Sequence, residues 1–380
     1  MEFTFFNPTK LVFGKGKIAE LGAEMKARGT RKALLVAGGG SIRKNKVYSQ
    51  VVASLKKSGI DWVESWGVKP NPSLDKVREM IALARNERVD CVLAVGGGSV
   101  IDASKAVAAG FFLDDVWKAF EGKAEVKKAL PLFTVLTISA TASEMDPFAV
   151  ISNEAARRKW AVGSDLLYPV VSIVDPSVQS SLPWAQTVYG AVDGLSHVME
   201  YYFLGKSEET TLAIDEALMR SIIVEANALR KNQKNLEARA NLAWALTLAL
   251  NGTSGAGLRG GDWACHSIEH AVSALHPEVA HGAGLAVVFP AWIKFVNKSS
   301  PAIFKRWAKQ VWGAASVEAA VAKMKKQYSA WGAPVSLREL GVKRGEISSI
   351  AAKAVEKGGG CGVLKRLSAR DVESILKLAV

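Results

Sequence analysis

Short apolar runs alternate with stretches of helical periodicity through the first half of the chain. The runs at 32–37, 62–66, 89–95, 133–138 and 170–174 are typical of buried strands. Residues 48–58 and 73–86 carry apolar side chains at helical spacing, and Ser73 is well placed to cap the second of these helices. Strands that alternate with helices predict a parallel sheet covered by helices on both faces.

The pattern changes after Asp175-Pro176. Strand patterns disappear, and helical periods continue to Val380, apart from loops predicted at 297–301 and 357–360. Pro183 suits a helix start, because its missing N–H would have no partner there. A chain of 380 residues suits two domains. We therefore predict an α/β domain over residues 1–183 and an all-helical domain over residues 184–380.

Composition narrows the function classes. With 49% apolar and 22% charged residues, and no run of 18 apolar residues, the chain suits a globular domain without a membrane span. Residues 1–8 do not resemble a secretory signal, and three scattered cysteines without a C-x-x-C pattern favour a reduced cytoplasm. The net charge of +13 fits a solvated lysine-rich surface or the attraction of phosphate-bearing ligands. The basic residues are dispersed and form no nucleic-acid-binding motif, so no nucleic-acid partner is expected.

Two glycine loops follow predicted strands. Gly38-Gly39-Gly40-Ser41 follows the first run, and Gly96-Gly97-Gly98-Ser99 follows the third. Neither matches G-x-G-x-x-G or a Walker loop, and one such loop alone could equally be a turn. Two of them at the carboxyl ends of strands in one parallel sheet predict a bound dinucleotide, because glycine lets backbone N–H groups approach phosphates.

The residues after the first glycine loop bear on the choice of dinucleotide. No acidic residue is present there to bind a ribose 2′-hydroxyl; Ser41, Arg43 and Lys44 stand there instead. A hydroxyl and two cations suit a 2′-phosphate, which favours NADP over NAD. The alternative is that Arg43 and Lys44 simply face water.

All five histidines fall between positions 197 and 281. Asp193 and His197 are spaced i, i+4, as are His266 and His270, so each pair lies on one face of a helix. His281 follows a break at Pro277. A lone histidine is more often a packing or surface residue, but two helices and a loop here can converge on one divalent ion with an Asp, His, His, His set.

Two neighbours of these histidines, Cys265 and Glu269, are not predicted to be metal ligands. Cys265 is assigned to packing, because adjacent helical residues point about 100° apart and cannot easily reach the same ion as His266. Glu269 is either a solvated acid or one that supports a ligand.

These motifs resemble a known family. The G-G-G-S-x-x-D loop at 96–102, the D-x-x-x-H at 193–197 and the two later histidines resemble the iron-containing (group III) alcohol dehydrogenases. The G-G-G-S at 38–41 and the G-D-W-A-x-H at 261–266 are most similar to its butanol dehydrogenase and broad-range aldehyde reductase branch. The resemblance spans nearly the whole chain. It implies a dehydroquinate synthase-like architecture, in which an N-terminal dinucleotide-binding α/β domain precedes an all-α, metal-binding catalytic domain.

The resemblance also implies roles for particular residues. It makes Asp193, His197, His266 and His281 the ligands of a catalytic divalent metal, Fe²⁺ or Zn²⁺, with His281 preferred to His276 because His281-Gly282 keeps the family's H-G pair. His270 corresponds to a histidine near the nicotinamide that could relay a proton. The implied cofactor contacts are Gly39, Gly40, Ser41, Asn71, Gly97, Gly98, Ser99, Asp102, Thr137, Thr141, Ser143, Lys159, Val178 and Ser181.

Two positions depart from the family pattern. Ala142 replaces a common glycine and is expected to tighten the loop near the phosphates. Asp146 replaces a common asparagine and is expected to bring a negative charge near the cofactor.

The resulting hypothesis is a metal-dependent, NAD(P)-linked alcohol dehydrogenase working as an aldehyde reductase on short-chain substrates such as butanal. The alternative is a polyol (glycerol-type) dehydrogenase or a non-redox cyclase on the same architecture. Phe148, Leu258 and Trp263 suggest an apolar pocket, whereas Arg259 leaves a polar substrate open. A binding protein that has lost catalysis is disfavoured, because all four implied ligands are retained. The resemblance also implies a homodimer, assembled through a strand within residues 3–13.

Overall fold

A six-stranded parallel sheet forms the centre of the N-terminal half of the computed structural model, which describes residues 1–380. The strands in chain order are β1 Lys10–Phe13, β2 Lys32–Ala37, β3 Asp61–Ser65, β4 Cys91–Gly96, β5 Leu132–Leu136, β6 Phe148–Asn153, β7 Arg158–Gly163 and β8 Val171–Val174. The sheet order is β1-β8-β5-β4-β2-β3, and β6 and β7 form a separate antiparallel hairpin. The predicted parallel α/β architecture is confirmed.

Helices cover both faces of the sheet. Those in this half are α1 Leu21–Lys26, α2 Ser41–Lys44, α3 Val47–Ser58, α4 Leu74–Asn86, α5 Gly98–Gly110 and α6 Trp117–Phe120. Successive residues of β2 point to opposite faces: Leu34 packs in a cluster with Val77 of α4 and Ile101 of α5, whereas Leu35 packs in a cluster with Val51 of α3. Burial on both faces explains why this strand is an uninterrupted apolar run.

The five strands and two helices predicted in this half lie within a few residues of observed elements, and the β6–β7 hairpin was not predicted. Ser73 caps α4 by accepting a hydrogen bond from the Lys76 N–H at 3.4 Å. The β6–β7 hairpin was not predicted, because its strands contain polar residues and are partly exposed, which weakens the apolar period.

The order of the strands fixes where a ligand can bind. The chain runs outward from β2 to β3 and then returns to place β4 on the other side of β2. In open parallel sheets such a reversal leaves a crevice at the carboxyl ends of the two central strands. Both glycine loops leave the sheet at this crevice, residues 38–40 after β2 and residues 97–99 after β4.

The C-terminal half is helical. Its helices are α7 Trp184–Tyr202, α8 Glu209–Lys231, α9 Leu236–Leu248, α10 Ala264–Leu275, α11 His281–Val296, α12 Pro301–Trp312, α13 Val317–Trp331, α14 Ile347–Ala354 and α15 Ala369–Lys377. Helix α7 packs against α8 and α11, and α10 packs against α11 and α14. The predicted loop at 297–301 is instead a short 3₁₀ turn, Asn297–Ser299, and Pro301 already begins α12. Proline is favoured at that first helical position.

The chain forms two compact units that are not contiguous in sequence. One comprises Met1–Phe5, Pro183–Asn232 and Trp244–Val380, and the other comprises Phe6–Leu182 and Gln233–Ala243. None of the helices combines the length and the apolar character that crossing a membrane requires.

Candidate active site

Three imidazoles surround one carboxylate oxygen in the helical unit. Asp193 and His197 lie one turn apart on α7, His266 lies on α10, and His281 is the first residue of α11. The Nε2 atoms of His197, His266 and His281 are 3.5, 3.9 and 3.6 Å from Oδ1 of Asp193. These are too long for good hydrogen bonds. They are close to the spacing of about 3.3–3.6 Å between neighbouring ligand atoms in a tetrahedral metal site.

Unpartnered buried atoms support the same interpretation. Oδ1 of Asp193 and Nε2 of His266 are buried and have no hydrogen-bond partner. Such atoms are costly to bury, and a divalent cation would satisfy both of them. The donor set of one carboxylate and imidazole nitrogens suits iron or zinc. The residues present therefore fit a metal ion.

His197 is placed differently from the other two imidazoles. The ligand atoms of Asp193, His266 and His281 lie within 4.8 Å of one another. His197 is outside that group, and its ring stacks on His266 with a centroid distance of 4.9 Å. Its Nδ1 is buried without a partner.

Two buried glutamates contact the Nδ1 atoms of the other two imidazoles. Nδ1 of His266 lies 2.8 Å from Oε1 of Glu200, and Nδ1 of His281 hydrogen-bonds to Glu269. A proton held on Nδ1 leaves the Nε2 lone pair available for a metal. Glu269 is fully buried, which excludes its interpretation as a solvated acid.

Glu200 was not singled out from the sequence. A signal was available, because Asp193, His197 and Glu200 follow the i, i+4, i+7 spacing of one helix face.

The electrostatics of the cluster follow from burial and proximity. Burial opposes the charge of Asp193, but the imidazoles of His197, His281 and His266 hold its pKa well below the ordinary range. Burial lowers the pKa of His197 to about 3, so this imidazole is neutral, as a metal ligand must be. Burial acts in the same direction on His266, but Asp193 and Glu200 outweigh it and raise the pKa of His266 to about 9, so a metal ion bound there would displace a proton from this imidazole.

The remaining histidines lie away from Asp193. The His270 ring is 5.4 Å from that of His281, and together with Glu269 these residues form a second, partly exposed group. His276 instead hydrogen-bonds to Glu278 at 3.3 Å and to Glu346 at 3.1 Å. The structure thus brings His281, and not His276, to Asp193.

Cys265 is fully buried, and burial raises the pKa of its thiol well above the usual value, which fits a packing role.

The residues suggested for an apolar pocket differ in exposure. Leu258 is fully buried, and Phe148 is exposed. Arg259 donates a hydrogen bond to the carbonyl of Leu204 at 3.0 Å. The Trp263 indole, in contrast, lies against the cluster, with centroid distances of 5.1 Å to His266 and 6.2 Å to His197.

The implied cofactor residues gather in the sheet-containing unit. They follow the carboxyl ends of β2, β3, β4, β5 and β8, except for Lys159, which lies on the hairpin strand β7. Gly39, Ser41 and Ser181 are exposed; Gly40, Asn71, Gly97, Ser99, Asp102, Thr141 and Val178 are half-buried; Gly98, Thr137, Ser143 and Lys159 are buried.

Glycine is required at one point of this surface. A Cβ at Gly98 would lie 2.4 Å from Oγ1 of Thr141, so a side chain there would displace the loop after β5.

The loop after β5 is fixed by side chains of α5. Oδ1 of Asp102 accepts a hydrogen bond from the Ser143 hydroxyl at 2.6 Å, and Oδ2 accepts one from the Val150 N–H at 3.0 Å. Burial raises the pKa of Asp102 to about 7. Ala142 is buried with φ +55°, a left-handed conformation that explains why glycine suits this position.

The charge expected from Asp146 is neutralised within the protein. The Lys105 ammonium lies 2.7 Å from Oδ1 of Asp146, and both side chains are buried. Asp146 is therefore one partner of a buried ion pair, and its carboxylate is compensated by the Lys105 ammonium.

Arg43 has partners of its own. Its guanidinium lies 4.1 Å from the Trp66 ring centroid and 3.6 Å from Oε2 of Glu64. Glu64 also accepts hydrogen bonds from the hydroxyl of Tyr48 at 2.5 Å and the indole N–H of Trp66 at 2.7 Å. Arg43 is exposed, as are Ser41 and Lys44, but its guanidinium also packs on an aromatic ring rather than only facing water.

Models of known protein families match both halves of the chain. A family model described as iron-containing alcohol dehydrogenase matches residues 8–176. A second, described as the C-terminal part of the Fe-containing alcohol dehydrogenase family, matches residues 187–380.

Individual proteins match over nearly their full length. The probable NADH-dependent butanol dehydrogenase 1 of Bacillus subtilis is 40% identical, with 100% of this chain and 99% of that protein covered. The NADPH-dependent aldehyde reductase YqhD of Escherichia coli is 33% identical, with 94% of this chain and 93% of that protein covered. The crystal structure of NADH-dependent butanol dehydrogenase A from Thermotoga maritima superposes with a TM-score of 0.97 at 52% identity, covering 100% of this chain and 98% of that one.

Proposed function

The chain belongs to the iron-containing alcohol dehydrogenase family, and on this premise we propose that Asp193, His197, His266 and His281 hold its catalytic divalent metal. It is an NAD(P)-linked alcohol dehydrogenase or aldehyde reductase, and the relatives favour this activity over that of a polyol dehydrogenase or a cyclase. The observation that carries the metal assignment is the convergence of three Nε2 atoms on Oδ1 of Asp193.

The roles of the protein's own residues follow from this arrangement. When bound, a divalent ion held by these residues would polarise a carbonyl or alcohol oxygen as a Lewis acid, and a nicotinamide would supply or accept the hydride. Asp193 and the imidazoles would hold the ion, and the Nδ1 atoms of His266 and His281 lie against the carboxylates of Glu200 and Glu269. We propose that half-buried His270, beside Glu269 and His281, exchanges the proton of the reaction with solvent.

We propose that the cofactor lies along the carboxyl ends of the parallel strands. Its contacts would be Gly39, Gly40, Ser41, Asn71, Gly97, Gly98, Ser99, Asp102, Thr137, Thr141, Ser143, Lys159, Val178 and Ser181. Asp102 and Ser143 already hydrogen-bond to each other, so we assign them to holding the loop against the cofactor.

We further propose that NADP is preferred to NAD. The relatives include both NADH-dependent butanol dehydrogenases and an NADPH-dependent aldehyde reductase. The preference rests on the exposed hydroxyl of Ser41 after β2, and on Glu64 being held by Tyr48, Trp66 and Arg43.

Kinetics with one variant and one control test this preference. Ser41→Asp should lower kcat/KM for NADPH by at least about tenfold relative to NADH, because a carboxylate repels a 2′-phosphate. Ser49→Asp adds the same charge at another exposed serine, on α3, and should leave the ratio of the two kcat/KM values unchanged. A wild-type enzyme that uses NADH more efficiently overturns the proposal.

The proposed substrate is a short-chain aldehyde such as butanal, reduced to the alcohol. The experiment follows NADPH and NADH oxidation with butanal before chelation, after it, and after restoring Fe²⁺ or Zn²⁺, with metal analysis of the purified protein. Activity should disappear on chelation and return with one of these ions. Oxidation that is indifferent to chelator overturns the metal proposal, and glycerol oxidised faster than butanol overturns the substrate proposal.

We also propose a homodimer in the cytoplasm. Strand β1 is at an edge of the sheet, and Phe3, Phe5 and Phe6 are each about half exposed, as suits a segment covered by a second copy. The three cysteines are free and buried, which suits a reduced compartment. Light scattering of the wild type and of a Phe3→Ser/Phe6→Ser variant tests the dimer; a monomeric wild type contradicts it.

A further inference from the structure

Glu200 connects the two helices that carry Asp193 and His266. It lies on α7, and its side chain is fully buried. Oε1 of Glu200 accepts a hydrogen bond from the His266 backbone N–H at 3.0 Å and lies 2.8 Å from Nδ1 of the same residue. The Glu200 carbonyl accepts a hydrogen bond from the Asp262 N–H at 2.9 Å. One residue therefore fixes both the start of α10 and the imidazole that α10 presents.

We infer that Glu200 is a positioning residue for the metal centre, which holds His266 as the Nδ1–H tautomer with Nε2 turned toward Asp193. Nδ1 faces a carboxylate, which accepts but cannot donate, so the proton of a neutral imidazole belongs on Nδ1. The lone pair is then on Nε2, which is buried, has no hydrogen-bond partner and lies 3.9 Å from Oδ1 of Asp193. The inference rests on the proposed role of His266 as a ligand.

The three imidazoles differ in whether a carboxylate lies against their Nδ1 atom. His266 has Glu200 and His281 has Glu269, whereas Nδ1 of His197 is buried without a partner. A carboxylate behind an imidazole fixes its ring orientation and increases its basicity as a ligand. Removing Glu200 should therefore release one of only two carboxylate-supported imidazoles.

A purely structural role for Glu200 makes different predictions. A buried side chain that serves only to join α7 and α10 would affect unfolding but not the affinity of the folded protein for metal. Oε1 of Glu200 alone accepts the hydrogen bond that joins the helices, and Oε2 is buried without a partner. Joining the helices would therefore require neither a second oxygen nor a negative charge, both of which are costly to bury.

The test measures metal affinity rather than turnover. Metal-free wild type, Glu200→Gln and Glu200→Leu are titrated with Zn²⁺ against a competing chelator, and the Co²⁺ forms are compared by visible absorption. Glu200→Leu should weaken Zn²⁺ binding about 10–100-fold and alter the Co²⁺ spectrum. Glu200→Gln keeps an acceptor oxygen and should lose less. Glu216→Gln is the matched control, because Glu216 is also buried but bonds to Tyr202 and Arg306, and it should bind within twofold of wild type.

The outcomes separate this inference from the proposed function. A wild type that binds no divalent metal refutes the proposed function. A folded Glu200→Leu protein that binds Zn²⁺ as tightly as wild type refutes the role of Glu200 alone. If Glu200→Leu does not fold, ¹⁵N NMR of the zinc-loaded wild type decides. His266 protonated on Nδ1 and coordinated through Nε2 supports the inference, and the opposite tautomer overturns it.

Discussion

The ammonium group of Lys105 on α5 lies 2.7 Å from Oδ1 of Asp146, and neither side chain is more than 4% exposed. Lys105 also donates to the carbonyls of Asp146 and Phe148, each at 2.8 Å, so all three of its N–H groups have acceptors. This ion pair fixes the residues that follow the loop after β5, next to the hydrogen bond between Asp102 and Ser143.

Removing one partner of this pair should be strongly destabilising. Lys105→Met leaves a buried carboxylate without its cation and is expected to lower the free energy of unfolding by about 3–5 kcal/mol. Urea unfolding of the metal-free protein measures it. Lys76→Met is the control, since Lys76 pairs with exposed Glu79 and its loss should change stability by less than about 1 kcal/mol. Equal effects of the two substitutions would contradict this account.

Replacing a second buried carboxyl group is expected to stabilise the protein instead. Asp215 on α8 is fully buried, and neither of its oxygens has a hydrogen-bond partner. Burial, with a contribution from Glu216, raises its pKa well above the ordinary value. The folded state thus keeps a proton that the unfolded chain loses near pH 4. Stability from this group is present at low pH and is lost as the pH rises toward the folded-state pKa.

Asp215→Asn removes that titration. It is expected to raise the free energy of unfolding at pH 8 by about 1–3 kcal/mol and to have little effect at pH 4. Urea unfolding at both pH values is the measurement. A variant that is less stable than wild type at pH 8 would show that Asp215 has a partner in solution.

Local patterns in the sequence account for most of the fold. Strands β2 and β4 were predictable because burial on both faces leaves continuous apolar runs, and the i, i+4 spacing placed Asp193 and His197 on one helix face. The β6–β7 hairpin has no such run, since residues such as Arg158 and Lys159 interrupt it.

Contacts between distant residues were not predictable in this way. His266 meets Glu200 across 66 residues, and Lys105 meets Asp146 across 41. The local spacing of apolar and polar residues does not indicate such a pairing, because the pairing depends on how whole helices pack. The sequence therefore indicated the proposed ligands but not the acid that we infer to orient one of them, and it indicated a negative charge at Asp146 but not the Lys105 ammonium that pairs with it.

Metal binding should be visible in stability as well as in activity. Ligands that bind only the folded state add about 4 kcal/mol at a thousandfold excess over Kd. Chelation should therefore lower the Tm of wild type, and Asp193→Asn, which loses the carboxylate shared by the three imidazoles, should melt at one temperature with or without chelator. Scanning calorimetry measures both. Asp215→Asn should keep the wild-type response, and an Asp193→Asn protein that also keeps it would argue against the proposed centre.

The turn before α10 offers a matched pair of glycines beside Trp263. Gly260 and Gly261 have φ +79° and +84°, so alanine is strained at either position, by about 1–2 kcal/mol. At Gly260 a Cβ would meet nothing within 4 Å, whereas at Gly261 it would lie 2.6 Å from Nε1 of Trp263. Gly261→Ala must therefore also move the indole that packs on His197 and His266.

We expect Gly260→Ala to reduce stability by about 1–2 kcal/mol and to leave the Kd for Zn²⁺ and the KM for butanal within about twofold of wild type. Gly261→Ala should lose more stability and change the KM for butanal severalfold, because the ring beside the proposed ligands is displaced. Urea unfolding, chelator-competition titration and steady-state kinetics separate the two effects. Equal KM values in both variants would mean that Trp263 does not border the substrate, since the added methyl group at Gly261 cannot be accommodated without moving the indole.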